Sequence, residues 1–155
     1  MLSLALYQPD IPQNTGNLLR TCACFGVPAS IILPAGFDAS DRSFRRSGMD
    51  YLGKAEITRH DSFEHFQVWA RQNSRRVVLL TSKAVASYAE FAFSPLDTLL
   101  LGRESAGAPD HVHAAADARI RIPIRAETRS LNAAVAGAVA LAEALRQTGC
   151  FPPAG

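Results

Sequence analysis

The stretch Arg119-Ile-Arg-Ile-Pro-Ile124, then Arg125-Ala-Glu-Thr-Arg-Ser130, then Leu131 to Gln147, reads as strand, loop and helix. Ile120, Ile122 and Ile124 alternate as in a short apolar strand, and Pro123 removes a backbone donor where that strand stops. Ser130 is expected to cap the helix, because a serine hydroxyl at that position accepts a backbone N–H. Leu131, Val135, Ala138, Ala142 and Leu145 recur with helical spacing and predict its buried face. Ala133, Ala134, Ala136, Gly137 and Ala140 lie between them, so the helix can approach a neighbour closely. Arg125 and Arg129 stand beside its N-terminus, and a positive, donor-rich loop there suits an anionic or multiply polar ligand. Taken alone, the stretch also describes an ordinary βα junction.

The rest of the chain repeats the pattern. Leu2–Tyr7 predicts a first strand, and a loop broken by Pro9 and Pro12 leads to a helix capped by Asn14 and running to Phe25. That helix should bury Leu18, Leu19, Cys22 and Phe25 and present Asn17, Arg20, Thr21 and Cys24 to the other side. Further strands are expected at Ser30–Leu33, Glu56–Arg59, Val77–Leu80 and Thr98–Leu101. Short helices fall at Asp41–Arg46 and after Pro109, and a longer one, capped by Asp61 or Ser62, reaches about Asn73. Strands alternating with helices argue for an α/β fold, a mostly parallel sheet flanked by helices. No repeat or linker interrupts it, so residues 1–155 read as one domain with a frayed tail from about residue 149.

Composition narrows the function. With 155 residues, 48% hydrophobic and 19% charged, the chain can bury a real core. No apolar run is long enough to span a membrane, and the start lacks a basic leader, so a cytoplasmic protein is expected. The net charge of +2 excludes a strongly basic arm. Among 16 basic residues only Lys54 and Lys83 are lysine. A GC-rich genome produces such a skew, and arginine also suits bidentate phosphate contacts. Cys22, Cys24 and Cys150 give no disulfide framework, and Cys22 and Cys24 point to opposite sides of one helix. His111 and His113 are a thin metal signal, and no metal is expected.

Three loops are too polar and too glycine-marked to be mere connections. The first runs from Asp10 to Arg20, with Asn14, Asn17 and Arg20. The second, Gly102-Arg-Glu104-Ser-Ala-Gly107, follows a buried strand; it is neither a dinucleotide fingerprint nor a Walker loop. The third is the opening stretch, with Ser130 and Asn132. Leu80-Thr81, Gly102–Gly107 and Ile122–Asn132 all sit at predicted carboxyl ends of strands, where open α/β sheets bind ligands. Converging, they would make one pocket.

IPQNTGNLLRTC at 11–22, LLLGRESAGAP at 99–109 and IRIPIRAETRSLNAAVA at 120–136 together resemble the three motifs of the SPOUT class of RNA methyltransferases. The likeness extends from Leu2 to about Gln147 and is strongest to the branch that methylates ribose 2′-hydroxyls. Within that branch it points to the small enzymes acting on the wobble nucleotide of tRNA. The resemblance implies a deep C-terminal trefoil knot, bound S-adenosylmethionine, and a homodimer whose active site uses both chains. It also implies the anticodon stem-loop as substrate, with cytidine or modified uridine as target in leucine tRNAs, and no protein partner. Carried over residue by residue, it places Leu80, Thr81, Gly102, Glu104, Gly107, Ile122, Pro123, Ser130 and Leu131 at the cofactor. Arg20, Asn14, Ser130 and Asn132 take the catalytic positions, with Glu104 and Asn132 bracing the loops. Ala134 and Ala136 depart from the larger or hydroxylated residues often found in the third motif.

A guanidinium holds its proton to about pH 12 or above, so Arg20 as a literal general base is awkward. Orienting a substrate phosphate and stabilising the developing alkoxide suits it better. Arg42, Arg45, Arg46 and Arg129 are candidate phosphate contacts and Tyr51 a candidate for stacking on a base; each equally suits a surface or core role. The alternatives are a same-fold enzyme acting on ribosomal RNA or another tRNA position, a non-catalytic RNA-binding knot module, and an unrelated nucleotide-binding α/β enzyme.

Overall fold

The computed structural model describes residues 1–46 and 49–154, apart from the side chains of Asp50 and Tyr51. Six strands form one sheet: β1 (Ser3–Tyr7), β2 (Ala29–Ile32), β3 (Ile57–His60), β4 (Arg76–Leu80), β5 (Asp97–Leu101) and β6 (Ala118–Ile120). Their order is β3-β2-β1-β5-β4-β6, and every pairing is parallel. Among the described residues the helices are α1 (Pro12–Phe25), α2 (Asp41–Arg46), α3 (Phe63–Gln72), α4 (Asp110–Ala115) and α5 (Ala133–Thr148), with a 3₁₀ turn at Asp50–Lys54.

Both faces of the sheet are covered, which is why Leu4–Tyr7 of β1, Val77–Leu80 of β4 and Leu99–Leu101 of β5 run apolar rather than alternating with polar residues. Leu4, Leu6, Val78, Leu99 and Leu101 pack with Leu18, Leu19, Cys22, Ala140, Leu141 and Leu145 of α1 and α5. Ala5, Tyr7, Val77, Leu79 and Leu100 point the other way, against Phe63, Phe66 and Ala70 of α3 and Val112 of α4. The period of two along a strand sorts neighbours into two cores. At the amino edge, Arg76 grips the buried Asp97 through two 2.7 Å hydrogen bonds, tying β4 to β5. Phe151, beyond α5, packs edge-on against Phe25.

Several local expectations change. The α1 helix begins at Pro12, which suits a first helical position because its missing N–H has no partner there. Asn14 is therefore inside the first turn, not its cap. The last strand ends at Ile120; Ile122 and Ile124 lie in the following loop. Ser130 does not cap α5, since Asn132 does so, accepting from the N–H groups of Ala134 and Val135. The buried face of α5 is Ala134, Gly137, Ala140, Leu141, Ala144 and Leu145, while Leu131 and Val135 are exposed. A β-carbon on Gly137 would meet Leu18 and Leu101 at 2.7 and 2.8 Å, so close approach selects the small residues for the inside.

Beyond β6 the chain runs between β4 and the segment that joins β4 to β5. Thr81 donates to the carbonyl of Ile120, Arg121 donates to Ala86, and Tyr88 donates back to Arg121, all at 2.9 Å. The segment after β4 thus lies over the path leading to the α5 loop.

Candidate active site

Because all six strands are parallel, their carboxyl ends share one edge, and the loops there enclose a cleft of about 470 Å³. It is lined by Ile11 and Asn14 after β1, by Leu80, Thr81 and Ser82 after β4, and by Leu101 to Glu104 with Gly107 and Ala108 after β5. The stretch beyond β6 contributes Ile122, Ile124, Ser130 to Ala133, and Ala136. The three loops singled out in the sequence do converge. Pro123 and Arg20 do not line the cleft; Arg20 stands on the exposed side of α1 with Asn17.

Two contacts hold the cleft in shape. In the first, Nδ2 of Asn132 donates to Oδ1 of the buried Asn14 at 3.0 Å, while Oδ1 of Asn132 caps α5. The first turns of α1 and α5 are thereby clasped. In the second, the Asp10 N–H donates to the Glu104 carboxylate at 3.0 Å and the Glu104 N–H donates to Asp10 at 3.1 Å. The Ser105 hydroxyl also donates to Asp10. The hydrogen bond from Glu104 pulls Asp10 down to about 2, and burial raises Glu104 above the usual carboxylate range. Asp10 opens the first loop singled out in the sequence but was given no role there; an acid before Ile-Pro gains one only when the glycine loop is seen beside it.

Gly102 serves the loop itself. The resemblance places Gly102 and Gly107 at the cofactor, and both line the cleft; within the loop, a β-carbon at Gly102 would lie 2.5 Å from the Ala108 nitrogen and 2.7 Å from the Gly107 carbonyl carbon. Arg103 and Gly107 exchange backbone hydrogen bonds across this turn, and Gly107 has φ of +66°, which only glycine adopts readily.

The candidate phosphate contacts are on the surface. Arg42, Arg45 and Arg46 are exposed on α2, with Arg46 4.0 Å from Asp38. Arg45 borders a separate groove with Arg59, which is committed to Asp41 at 2.6 Å and to the Ala39 carbonyl at 2.8 Å. Arg129 is exposed in the loop before α5, and the Tyr51 side chain lies outside the described residues. Among the described residues no three His, Cys, Asp or Glu side chains cluster as metal ligands. His111 instead packs edge-on against Tyr7 and Phe63. No helix among those residues is long and apolar enough to cross a membrane.

A covered parallel sheet with its cleft built from loops after β4, β5 and β6 defines an α/β domain of the SPOUT type. Residues 1–142 match the SpoU rRNA Methylase family, and the chain belongs to that family. It is 61% identical over 148 residues to the tRNA (cytidine(34)-2'-O)-methyltransferase of Beijerinckia indica subsp. indica, spanning 96% of this chain and 92% of that protein. A solved structure concerned with the 2-OH methylation of C/U34 on tRNA matches with TM-score 0.86 and 43% identity, over 95% of each chain. An AdoMet-bound rRNA methyltransferase from Sinorhizobium meliloti matches with TM-score 0.83 and 28% identity, over 94% of this chain and 56% of that one.

Proposed function

We propose that this protein is a tRNA methyltransferase that uses S-adenosylmethionine to methylate the ribose 2′-hydroxyl of nucleotide 34, the wobble position. The observation that carries the reading is the cleft itself, which gathers all three sequence motifs around the Asn14–Asn132 clasp. Its size falls in the range of about 300–1,000 Å³ usual for small-ligand sites. Leu80, Leu101, Ile122, Ile124 and Leu131 supply apolar wall for a purine, and exposed backbone of the loops with Thr81, Ser130 and Asn132 supplies polar partners. The donor suits this lining, and when bound it supplies a methyl group already activated on a sulfonium.

What remains for the protein is to position the ribose oxygen and ease the loss of its proton. Leu80, Thr81, Gly102, Glu104, Gly107, Ile122, Pro123, Ser130 and Leu131 hold the donor, Pro123 by fixing the backbone between two cleft residues. Asn14 and Asn132 keep the cleft walls in register. Arg20, off the cleft of its own chain, aims its guanidinium at the substrate and stabilises the alkoxide. That position motivates a homodimer in which one chain's α1 completes the other's site. The exposed Ile11, Ile124 and Leu131 of the cleft lining, with the exposed Val135 on α5, offer apolar surface for such a pairing. Arg42, Arg45, Arg46 and Arg129 take phosphates of the anticodon stem-loop, and leucine tRNAs are the expected species. The segment lying over the path to α5 agrees with the trefoil knot that the family implies.

Nucleoside mass spectrometry of tRNA from cells lacking the protein tests the reading. Loss of 2′-O-methylation at position 34, restored by the wild-type gene, is expected. An unchanged position 34 would refute the assignment.

A further inference from the structure

A second cavity, of about 520 Å³, lies between α2, the 3₁₀ turn and the edge strand β3. Among the described residues it shares no lining with the donor cleft. The apolar part of its wall is the half-buried Met49, Leu52, Ala55 and Ile57, and the charged part is Asp41, Arg45 and Arg59. The two arginines are held differently. Arg59 donates from Nε to the Ala39 carbonyl at 2.8 Å and from Nη2 to Asp41 at 2.6 Å, with its guanidinium 5.7 Å over the Phe44 ring. Its plane is therefore fixed. Arg45 is exposed and makes no hydrogen bond or ion pair among the described residues, so its charge is left for a ligand.

This pairing of features fits a nucleotide. Unpaired RNA bases are taken on guanidinium planes, and methionine sulfur makes favourable contacts with aromatic rings. An uncommitted arginine beside such a seat takes a phosphate. The place of the cavity indicates which nucleotide. A β-carbon on Gly16 of α1 would collide with the Met49 methyl group, so the cavity abuts α1 four residues before Arg20, about 6 Å along the helix axis. We propose that this cavity seats the base of an unpaired nucleotide next to the methylated one, with Arg45 on its phosphate. The inference rests on the tRNA reading and on Arg20 facing the substrate. The chain that supplies Arg20 then also grips the neighbouring nucleotide, apart from the methyl donor.

Equilibrium binding of anticodon stem-loops to the full chain tests this, with an intact loop and loops made abasic on either side of position 34. Removing the seated base should weaken wild-type binding by about five- to a hundredfold, the range for one stacked base. Gly53→Glu is the informative variant. Gly53 lines the cavity and is exposed, and a β-carbon there meets nothing within 4 Å, so the new carboxylate enters the cavity without displacing the backbone. The variant should bind the intact loop more weakly, and loss of the same base should then cost less than about twofold, as coupling between two groups in contact requires. Affinity for S-adenosylhomocysteine should not change. If circular dichroism shows Gly53→Glu to be misfolded, Arg45→Glu carries the same cycle by repelling the phosphate. Equal abasic penalties in variant and wild type, or no penalty in wild type, overturn the subsite. Methylation of the intact loop at position 34, read in the same samples, would then leave the proposed function standing. Wild type that binds no stem-loop removes the tRNA reading and the subsite with it.

Discussion

Asn132 serves two helices with one amide, its oxygen capping α5 and its nitrogen reaching the buried Asn14. Asn132→Ala should lose the cap, about 0.5–2 kcal/mol, and strand the Asn14 oxygen, a further penalty of about 1–3 kcal/mol. Denaturant unfolding measures the sum, and Asn132→Asp, which keeps the cap, should lose less. A loss no greater than that of an exposed surface alanine would remove the clasp from the account. Arg20 separates chemistry from binding. Arg20→Ala should lower single-turnover methylation at least about a hundredfold, the scale of losing one aimed donor. Affinity for S-adenosylhomocysteine should stay within about threefold, well under 1 kcal/mol. Near wild-type turnover would reduce Arg20 to a surface residue. Asn14, Arg20 and Asn132 were legible as polar residues in marked loops. Their partners were not, since the Asn14–Asn132 bond spans 118 positions and follows from the fold.

The glycine loop shows what an element can reveal. Gly102→Val would drive side-chain atoms into the Ala108 and Gly107 backbone, so the loop must open rather than a ligand be displaced. Overpacking of this kind costs about 1–3 kcal/mol or more. Both the thermal midpoint and donor affinity should therefore fall, as scanning fluorimetry with and without S-adenosylhomocysteine would record. Full stability with affinity alone lost would restore the ligand-contact explanation. Strands and helices were readable from periodicity nearly throughout, because central strands of a covered parallel sheet carry unbroken apolar runs. The face of α5 was misread because large apolar residues are the usual markers of burial. Here Ala134, Gly137, Ala140 and Ala144 go inward, where backbone approach matters more than bulk, and Leu131 and Val135 stay outside.

At the scale of the whole molecule, Arg20 does not line the cleft of its own chain, so the proposed methyl transfer needs a second copy to bring the two together. A homodimer is the expected state, and light scattering at micromolar concentration should show twice the chain mass. A monomer there would leave the catalytic assignment of Arg20 without a site. The central claim is that the cleft at the carboxyl edge serves methyl transfer to one ribose oxygen. Its most direct test incubates purified protein with methyl-labelled S-adenosylmethionine and an unmodified leucine tRNA, beside the same tRNA carrying a 2′-deoxynucleotide at position 34. Digestion and mass spectrometry should find label in 2′-O-methylated nucleotide 34 of the first and none in the second. Label in both, or at any other position, would contradict it.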